Sequence, residues 1–235
     1  MPRYRPVVLA AICALALAAP ASAAYAASAH HAAKPVLTIR KKGGPAVKKR
    51  AELRASLPKG RSATFALNTS SGSFNATCTS STLKAKVTGN PARAGKATLA
   101  LTGETFGGCA LTGASGTGIT LTGIKALNLP YDVTISSAKG FPVAIAGRSR
   151  TKPLSLEASI SVGSSTYTCV VTARRATAHA SNSGNKVSVK EKLALDAATS
   201  SGVCSEVGVS SATFSATYAP VRDTSVRRSP KVYFN

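Results

Sequence analysis

The chain has 235 residues, no tryptophan, 5% aromatic residues and a formal net charge of +22. The length excludes a protein of many domains and suits one large all-β domain or two small ones. This positive charge favours polyanionic partners outside the cell, such as wall polymers, anionic lipid surfaces or nucleic acid, over cationic ones.

The first 23 residues have the features of a secretory signal peptide. Arg3 and Arg5 form a positive start, residues 7–19 are apolar, and Ala21-Ser-Ala23 is a small-residue cleavage site. A membrane anchor is the weaker alternative, because the apolar run is shorter than the ~20 residues of a spanning helix. Cleavage after Ala23 removes Cys13 and predicts a secreted or extracellular protein, with association to the cell wall as a further expectation.

Residues 24–61 form a basic N-terminal segment that we expect to be partly disordered. Leu37-Thr-Ile39 is a candidate strand within it, and residues 34–61 hold ten basic residues against the single acid Glu52. This charge predicts polyanion binding, and the alternative is a solvated, flexible arm that keeps the protein soluble. Without interleaved aromatic residues for base stacking, sequence-specific nucleic-acid recognition is not expected. The predicted polyanion-binding residues are Arg40, Lys41, Lys42, Lys48, Lys49, Arg50, Arg54, Lys59 and Arg61.

From Ser62 onward apolar and polar residues alternate with the period of two that is typical of β-strands. Residues 62–150 make a first β half and residues 151–235 a second β half, each with turn signals between short alternating runs. Many short strands without helical periodicity favour a sandwich or a barrel. Of these we expect a β-sandwich built from two related disulfide-bearing halves, and the sequence leaves open whether the halves form one sandwich or two domains.

The two halves carry the same motifs in the same order, which indicates an internal repeat. In the first, Cys78 precedes Asn90 by 12 residues and Asn90 precedes Cys109 by 19. In the second, the corresponding distances from Cys169 to Asn182 and on to Cys204 are 13 and 22. Four cysteines allow three pairings, and the duplication favours the one confined to each half. The predicted disulfides are Cys78–Cys109 and Cys169–Cys204.

The sequence offers no catalytic, cofactor or metal motif. It contains no G-x-S-x-G, H-E-x-x-H or P-loop pattern, and no two cysteines have the short spacing of a zinc site. Most of the seven acidic residues after residue 61 fall on predicted outward faces or turns, and His179 alternates outward between two alanines. We therefore predict that the protein is not an enzyme and needs no cofactor. A secreted hydrolase remains the alternative, because catalytic groups can assemble from distant positions.

The chain ends on the apolar residues Val232, Tyr233 and Phe234. Burial of three such side chains is favourable at ~25 cal/mol per Å² of apolar surface. We expect these residues to dock as a short strand or against the core, after an exposed loop around Arg227 and Arg228. A frayed tail is the alternative.

Three segments together resemble a known group of proteins: Leu129-Pro-Tyr131-Asp-Val-Thr, Lys139-Gly-Phe-Pro-Val143, and the ending from Ala216-Thr-Tyr-Ala-Pro-Val to Asn235. With the signal peptide, they are similar to a group of secreted proteins of high-GC Gram-positive bacteria that has no assigned activity. The resemblance implies export and a β fold. It transfers no functional residues.

These observations favour a secreted, non-enzymatic binding or structural protein of the envelope or extracellular space that engages an anionic cell-wall polymer, or another polyanion, through positive charge. The alternatives are a secreted hydrolase, favoured by a cleft that brings together Asp132, Glu157 or His179, and a protein inhibitor. A rigid loop beside Cys109 or Cys204 would favour the inhibitor. No transmembrane segment is expected, and the sequence does not predict an oligomeric state.

Overall fold

The structure is a computed structural model that describes residues 34–69, 72–92, 95–113, 118–206 and 208–235. The predicted signal peptide and residues 24–33 lie outside the described residues. The described part of the chain belongs to one compact unit, so the first and second β halves share a single body.

Alternating apolar and polar residues produce fifteen strands and one short helix in the described residues. The bounds are β1 Leu37–Ile39, β2 Glu52–Ser56, β3 Ala63–Thr69, β4 Gly72–Gly89, β5 Lys96–Thr112, β6 Ile119–Leu127, β7 Tyr131–Ser136, β8 Pro142–Ala146, β9 Leu154–Val162, β10 Ser165–Ala173, β11 Arg175–Ser181, β12 Lys186–Leu195, α1 Gly202–Glu206, β13 Ser211–Tyr218, β14 Arg222–Asp223 and β15 Val232–Phe234.

The all-β prediction is confirmed, but the predicted sandwich is wrong, because the strands close into an eight-stranded antiparallel barrel. One closed path runs β3–β4–β5–β6–β9–β10–β12–β13 and returns to β3. Alternation along a strand is the same in a sandwich and in a barrel. The difference lies in which distant strands pair, and here the pairs β6–β9 and β13–β3 join the two halves edge to edge.

The long strands β4 and β5 change neighbours along their length, which adds a second tier of strands. Residues 96–101 of β5 pair with β7, whereas Thr105 further along pairs with β6. Residues 82–86 of β4 pair with β2, which pairs in turn with β14. Arg54 of β2 and Arg222 of β14 belong to this second tier.

Each half contains an antiparallel hairpin whose second strand carries a cysteine, β3–β4 in the first half and β9–β10 in the second. A cis peptide bond precedes Pro130 just before β7, and another precedes Pro220 just before β14. Strand β7 pairs with β8 of the same half, whereas β14 pairs with β2, which precedes both halves.

Both predicted disulfides are confirmed. Cys78 on β4 lies directly opposite Cys109 on β5, and the two are bonded across 31 residues of chain. Cys169 on β10 is bonded to Cys204 of α1 across 35 residues. In the chain-entropy model, loops of these lengths are each worth roughly 3–4 kcal/mol. The bonds therefore support a core that has few aromatic side chains.

Strands β1 and β15 form a two-stranded sheet, named here the terminal ribbon, in which Leu37 lies opposite Phe234. The Asn90 side chain bonds the backbone N–H and C=O of Leu37 at 3.0 and 2.8 Å. The Asn182 side chain bonds the same two groups of Phe234, both at 2.8 Å. The two motif asparagines thus hold the ribbon at a pair of facing residues.

Docking of the C-terminus is confirmed, because Val232 and Phe234 are fully buried while Arg227 and Arg228 are exposed. The flexible-arm interpretation is wrong for residues 34–61. That stretch forms β1 and β2, and it buries Leu37 and Leu53 in the core. Its positive charges therefore project from a folded surface.

Candidate functional site

All nine predicted polyanion-binding residues are exposed, and they are distributed over four segments of the chain. Residues 40–42 lie on the turn after β1, and residues 48–50 lie just before β2. Arg54 points outward from β2, while Lys59 and Arg61 belong to the connection before β3. Of the nine, Arg54 and Arg61 line surface grooves.

The larger groove, named here the lysine groove, has a volume of about 650 Å³. It runs between the connection before β3 and the outer face of β12 and β13. Lys190 on β12 lies directly opposite Ser215 on β13, so the ammonium group and the hydroxyl share one wall. The polar side chains that line the groove are Arg61, Ser62, Thr64, Lys186, Lys190, Ser215 and Thr217.

A second groove, named here the arginine groove, has a volume of about 230 Å³ and shares Ala219 with the first. Its polar lining consists of Arg54, Ser56, Arg222, Thr224 and Ser229. The Arg222 guanidinium donates to the Ser229 carbonyl at 2.9 Å, which fixes its direction. Neither groove has a carboxylate or an aromatic ring in its lining. The two grooves therefore form adjacent sections of one cationic, hydroxyl-rich surface.

Three cations stand side by side next to the arginine groove. The strand register places Arg222 of β14 opposite Arg54 of β2, and Arg54 opposite Lys84 of β4. Like charges directly opposite one another destabilise a sheet. The ion pair found among the described residues joins Lys125 to Glu157 on other strands, so no carboxylate neutralises this row. A bound anion would relieve the repulsion.

The sequence analysis missed Lys186, Lys190 and Arg222 because it weighed charge runs rather than strand faces. These residues are scattered in the second half, and only the fold brings them beside Arg54 and Arg61. The outward face of β12 carries Lys190 and Lys192 at a spacing of two, and this was the signal available in the sequence. Lys84 and Lys86 on β4 are exposed as well.

A cluster of polar side chains lies inside the barrel, where the sequence analysis expected none. Glu104 and Glu191, two of the seven acidic residues after residue 61, line an interior cavity of about 60 Å³ together with Tyr131 and Tyr218. For Glu104 the cause is a bulge, since Lys84 pairs with Gly103 while Ala85 pairs with Leu101. The extra residue, Thr102, reverses the faces of β5 beyond it.

The interior cluster is held by hydrogen bonds. The Tyr218 hydroxyl donates to Glu104 at 3.1 Å and lies 3.0 Å from the Ser81 hydroxyl. The Tyr131 hydroxyl contacts the carbonyls of Leu127 and Ser155 and accepts from the Ser155 N–H at 3.1 Å. The carboxylate of Glu191 accepts from the Thr177 N–H at 2.9 Å. These contacts place two carboxyl groups beside otherwise aliphatic walls.

Burial governs the ionisation of this cluster. It raises the pKa of Glu104 to about 7, against the smaller opposing effect of the hydrogen bond from Tyr218. Burial is also the main cause that raises the pKa of Tyr131 to about 12, with a further contribution from the charge of Glu104. Burial and the same charge raise the pKa of Tyr218 well above its usual range. Both tyrosines therefore stay protonated and available as donors.

The acids and the histidine that would have supported a hydrolase are not assembled into a cleft. Asp132 and His179 are exposed, and they pair with opposite ends of β8. Glu157 is engaged by Lys125 at 2.7 Å. None of the three lines the grooves or cavities described here. Within the described ranges, no group of three or more histidine, cysteine or acidic side chains could hold a metal ion.

Comparison with protein-family models, with curated proteins and with solved structures finds no match to this chain. No helix in the part of the chain that the structure describes is long and apolar enough to cross a membrane.

Proposed function

We propose that this protein is a secreted, non-enzymatic binding protein that holds anionic polymers in the lysine and arginine grooves. The observation that carries the proposal is the meeting of two grooves lined by five cations, with no carboxylate in either lining. Arg61, Lys186 and Lys190 serve the first groove, and Arg54 and Arg222 serve the second.

The chemistry of the lining favours a particular kind of polymer. Lysine and arginine attract phosphate, sulfate or carboxylate groups, and arginine can bind them through two parallel hydrogen bonds. The serine and threonine hydroxyls can exchange hydrogen bonds with sugar or polyol units between the charges. Without aromatic rings the grooves lack the stacking surfaces that single-stranded nucleic acids use. An anionic wall polymer is therefore the proposed partner.

Charge substitutions test this proposal. We expect the triple variant Arg61→Gln, Lys186→Gln, Lys190→Gln to elute from an immobilised anionic wall polymer at clearly lower salt than the wild type. Each lost phosphate contact lowers the slope of log K against log salt by roughly 0.7–0.9, so a drop of about 2 to 3 is expected. Deleting residues 34–61 is not a suitable test, because it would remove β1 and β2.

The matched control is Arg40→Gln, Lys41→Gln, Lys42→Gln, which removes the same charge from an exposed turn outside both grooves. It should shift the elution salt much less. If the two triple variants weaken retention equally, the grooves are not the site and net charge alone is responsible. If neither weakens it, positive charge is not the mechanism.

Export, the internal repeat and the resemblance to secreted proteins of high-GC Gram-positive bacteria belong to the same proposal. Two disulfides are typical of proteins that fold in an oxidising compartment, which supports an extracellular location. The ordered match of cysteine and asparagine positions in the two halves supports an origin by duplication.

Protease inhibition is a second candidate function, favoured by one observation. The loop of residues 196–201 precedes Cys204 and is held along β10, where the Ser200 and Ser201 hydroxyls accept from the N–H groups of Val170 and Thr168 at 2.8 and 3.0 Å. Its tip, residues 197–199, is exposed. A rigid exposed loop beside a disulfide is the geometry that an inhibitor needs.

If the loop is inhibitory, the wild type should inhibit at least one trypsin-, chymotrypsin- or subtilisin-like protease at micromolar concentration. Ala198→Asp at the tip should abolish this, and Ser205→Asp on the exposed side of α1 should not. Residual protease activity across the panel measures both. Full activity of every protease with the wild type, or equal effects of the two variants, would exclude the loop as the inhibitory element.

A further inference from the structure

The interior of the barrel contains three cavities in a row, with volumes of about 70, 60 and 80 Å³. Leu156 belongs to the walls of both the first and the middle cavity. The walls common to the middle and third cavities consist of Leu83, Leu101, Ile145 and Val189. The three cavities therefore adjoin one another, and their summed volume exceeds the cavity of about 150 Å³ that binds benzene in an engineered protein.

Nearly all of this wall is apolar. The polar residues in it are Arg54 of the third cavity and Glu104, Tyr131, Ser155, Glu191 and Tyr218 of the middle cavity. Glu104 accepts one hydrogen bond, from Tyr218, although an ionised carboxylate has about four acceptor positions. No other described donor lies within hydrogen-bond distance of it. The other polar groups of the cavity also have hydrogen-bond partners, since Tyr131 bonds Ser155 and the Oε2 atom of Glu191 accepts from Thr177.

We propose that the barrel interior binds a short linear aliphatic molecule with one terminal hydrogen-bond donor, a primary alcohol or a primary amine. The donor bonds the free acceptor positions of Glu104, and the alkyl chain occupies the adjoining cavities. This arrangement completes the hydrogen bonding of a half-satisfied carboxyl group and fills apolar space at the same time. The site differs from the proposed polymer site, because Glu104 lines neither groove, although Arg54 and Ala55 line both the arginine groove and the third cavity.

The chemistry of the cavity separates this ligand class from others. A fatty acid of equal length would bring a second carboxylate next to Glu104 and Glu191, and like charges in an enclosed site repel strongly. A sugar would leave several hydroxyl groups against aliphatic walls without partners. Hexanoate and glucose are therefore suitable negative probes.

The experiment follows amide chemical shifts of the labelled, disulfide-bonded protein during titration with 1-hexanol, hexylamine, hexanoate and glucose. We expect saturable shifts on the strands that carry Leu83, Leu101 and Tyr218 with hexanol and hexylamine, and none with the other two probes. Glu104→Gln should weaken hexylamine at least tenfold and hexanol only a few-fold, because hydrogen bonds to a charged group are stronger than neutral ones. The matched control Glu206→Gln changes an exposed carboxyl group and should leave both affinities as they were.

A filling variant tests the location of the alkyl chain. Ala176 is buried and lines the middle cavity, so Ala176→Leu should abolish binding of both probes. Circular dichroism shows whether the Ala176→Leu variant is folded. If it is unfolded, the titrations of the Glu104→Gln variant test the proposal instead. Absence of saturable shifts with any probe would show that the cavity holds only water and would overturn the proposal. Affinities that Glu104→Gln leaves unchanged for both probes would overturn it as well.

Discussion

Phe234→Ala should lower the free energy of unfolding by about 3–5 kcal/mol, as large-to-small substitutions of buried aromatic residues do. Phe234 is 1% exposed, lies against Phe141 with ring centroids 5.9 Å apart, and lines the third interior cavity. Its removal would enlarge an existing cavity instead of letting the barrel collapse around the site. For a domain of this size the thermal midpoint should fall by about 10 °C or more.

Tyr233→Ala is the matched control, because Tyr233 belongs to the same strand but is only half-buried. It should cost clearly less, about 1 kcal/mol. Urea unfolding of both variants measures the difference. If both variants lose equal stability, the strand contributes through its backbone pairing rather than through the burial of Phe234. If neither loses any, the terminal ribbon is not part of the cooperative fold.

Stability should fall as the pH rises from about 4.5 to about 7, because of Glu104. Burial raises the pKa of this carboxyl from 4.5 in the unfolded chain to about 7 in the fold. Between these values the folded state binds more protons than the unfolded state, so each rise in pH favours unfolding. Stability contributed by the protonated group is fully present below pH 4.5 and is lost above pH 7. Glu104 keeps part of its surface exposed, so the expected loss is about 1–3 kcal/mol.

Glu104→Gln removes the titration and keeps the shape of the side chain. At pH 8 this variant should be more stable than the wild type by the amount the wild type has lost, and near pH 4 the two should be similar. Urea midpoints measured at intervals from pH 4 to 8 give the difference directly. Glu206→Gln serves as the exposed control and should follow the wild type at every pH. A constant difference between Glu104→Gln and the wild type across this range would contradict the assignment.

Local patterns in the sequence were sufficient for the all-β class, the disulfides and the docking of the C-terminus. Ala63 and Phe65 point inward with the predicted period of two, and the duplicated spacing of Cys78 and Cys169 identifies both partners. The C-terminal strand was predictable because three apolar residues at a chain end need a partner. Each of these features depends on residues that are close in sequence or repeated in it.

Closure into a barrel was not predictable in this way. It depends on pairs such as Ile119 with Val162 and Phe65 with Phe214, and alternation does not identify the partner of a strand. The interior acids were missed for two different reasons. A bulge reverses the face of Glu104, while Glu191 follows Val187 and Val189 in the inward series and was judged by its charge instead of by its position.

The candidate site also combines residues that a local sequence pattern indicates with residues that only the fold brings together. The charge run in residues 34–61 supplied Arg54 and Arg61, but their partners Lys186, Lys190 and Arg222 are more than a hundred residues away. A groove built from scattered cations has no linear motif. Only the pairing of β2 with β14, and the packing of the connection before β3 against β12 and β13, bring these charges together.

The terminal ribbon also determines when folding can finish. The Asn235 side chain donates to the carbonyl of Pro35, 200 residues earlier, and β1 has no partner strand until β15 is present. A chain delivered N-terminus first must therefore keep the edge of β1 unpaired until its last residues arrive, and such edges are prone to aggregation. Contacts between residues that are far apart in sequence form slowly, so the pairing of β1 with β15 should be slow as well as late. A chaperone that shields β1 until the C-terminus is available, or a C-terminal extension that delays β15, should therefore change the yield of folded protein more than its final stability.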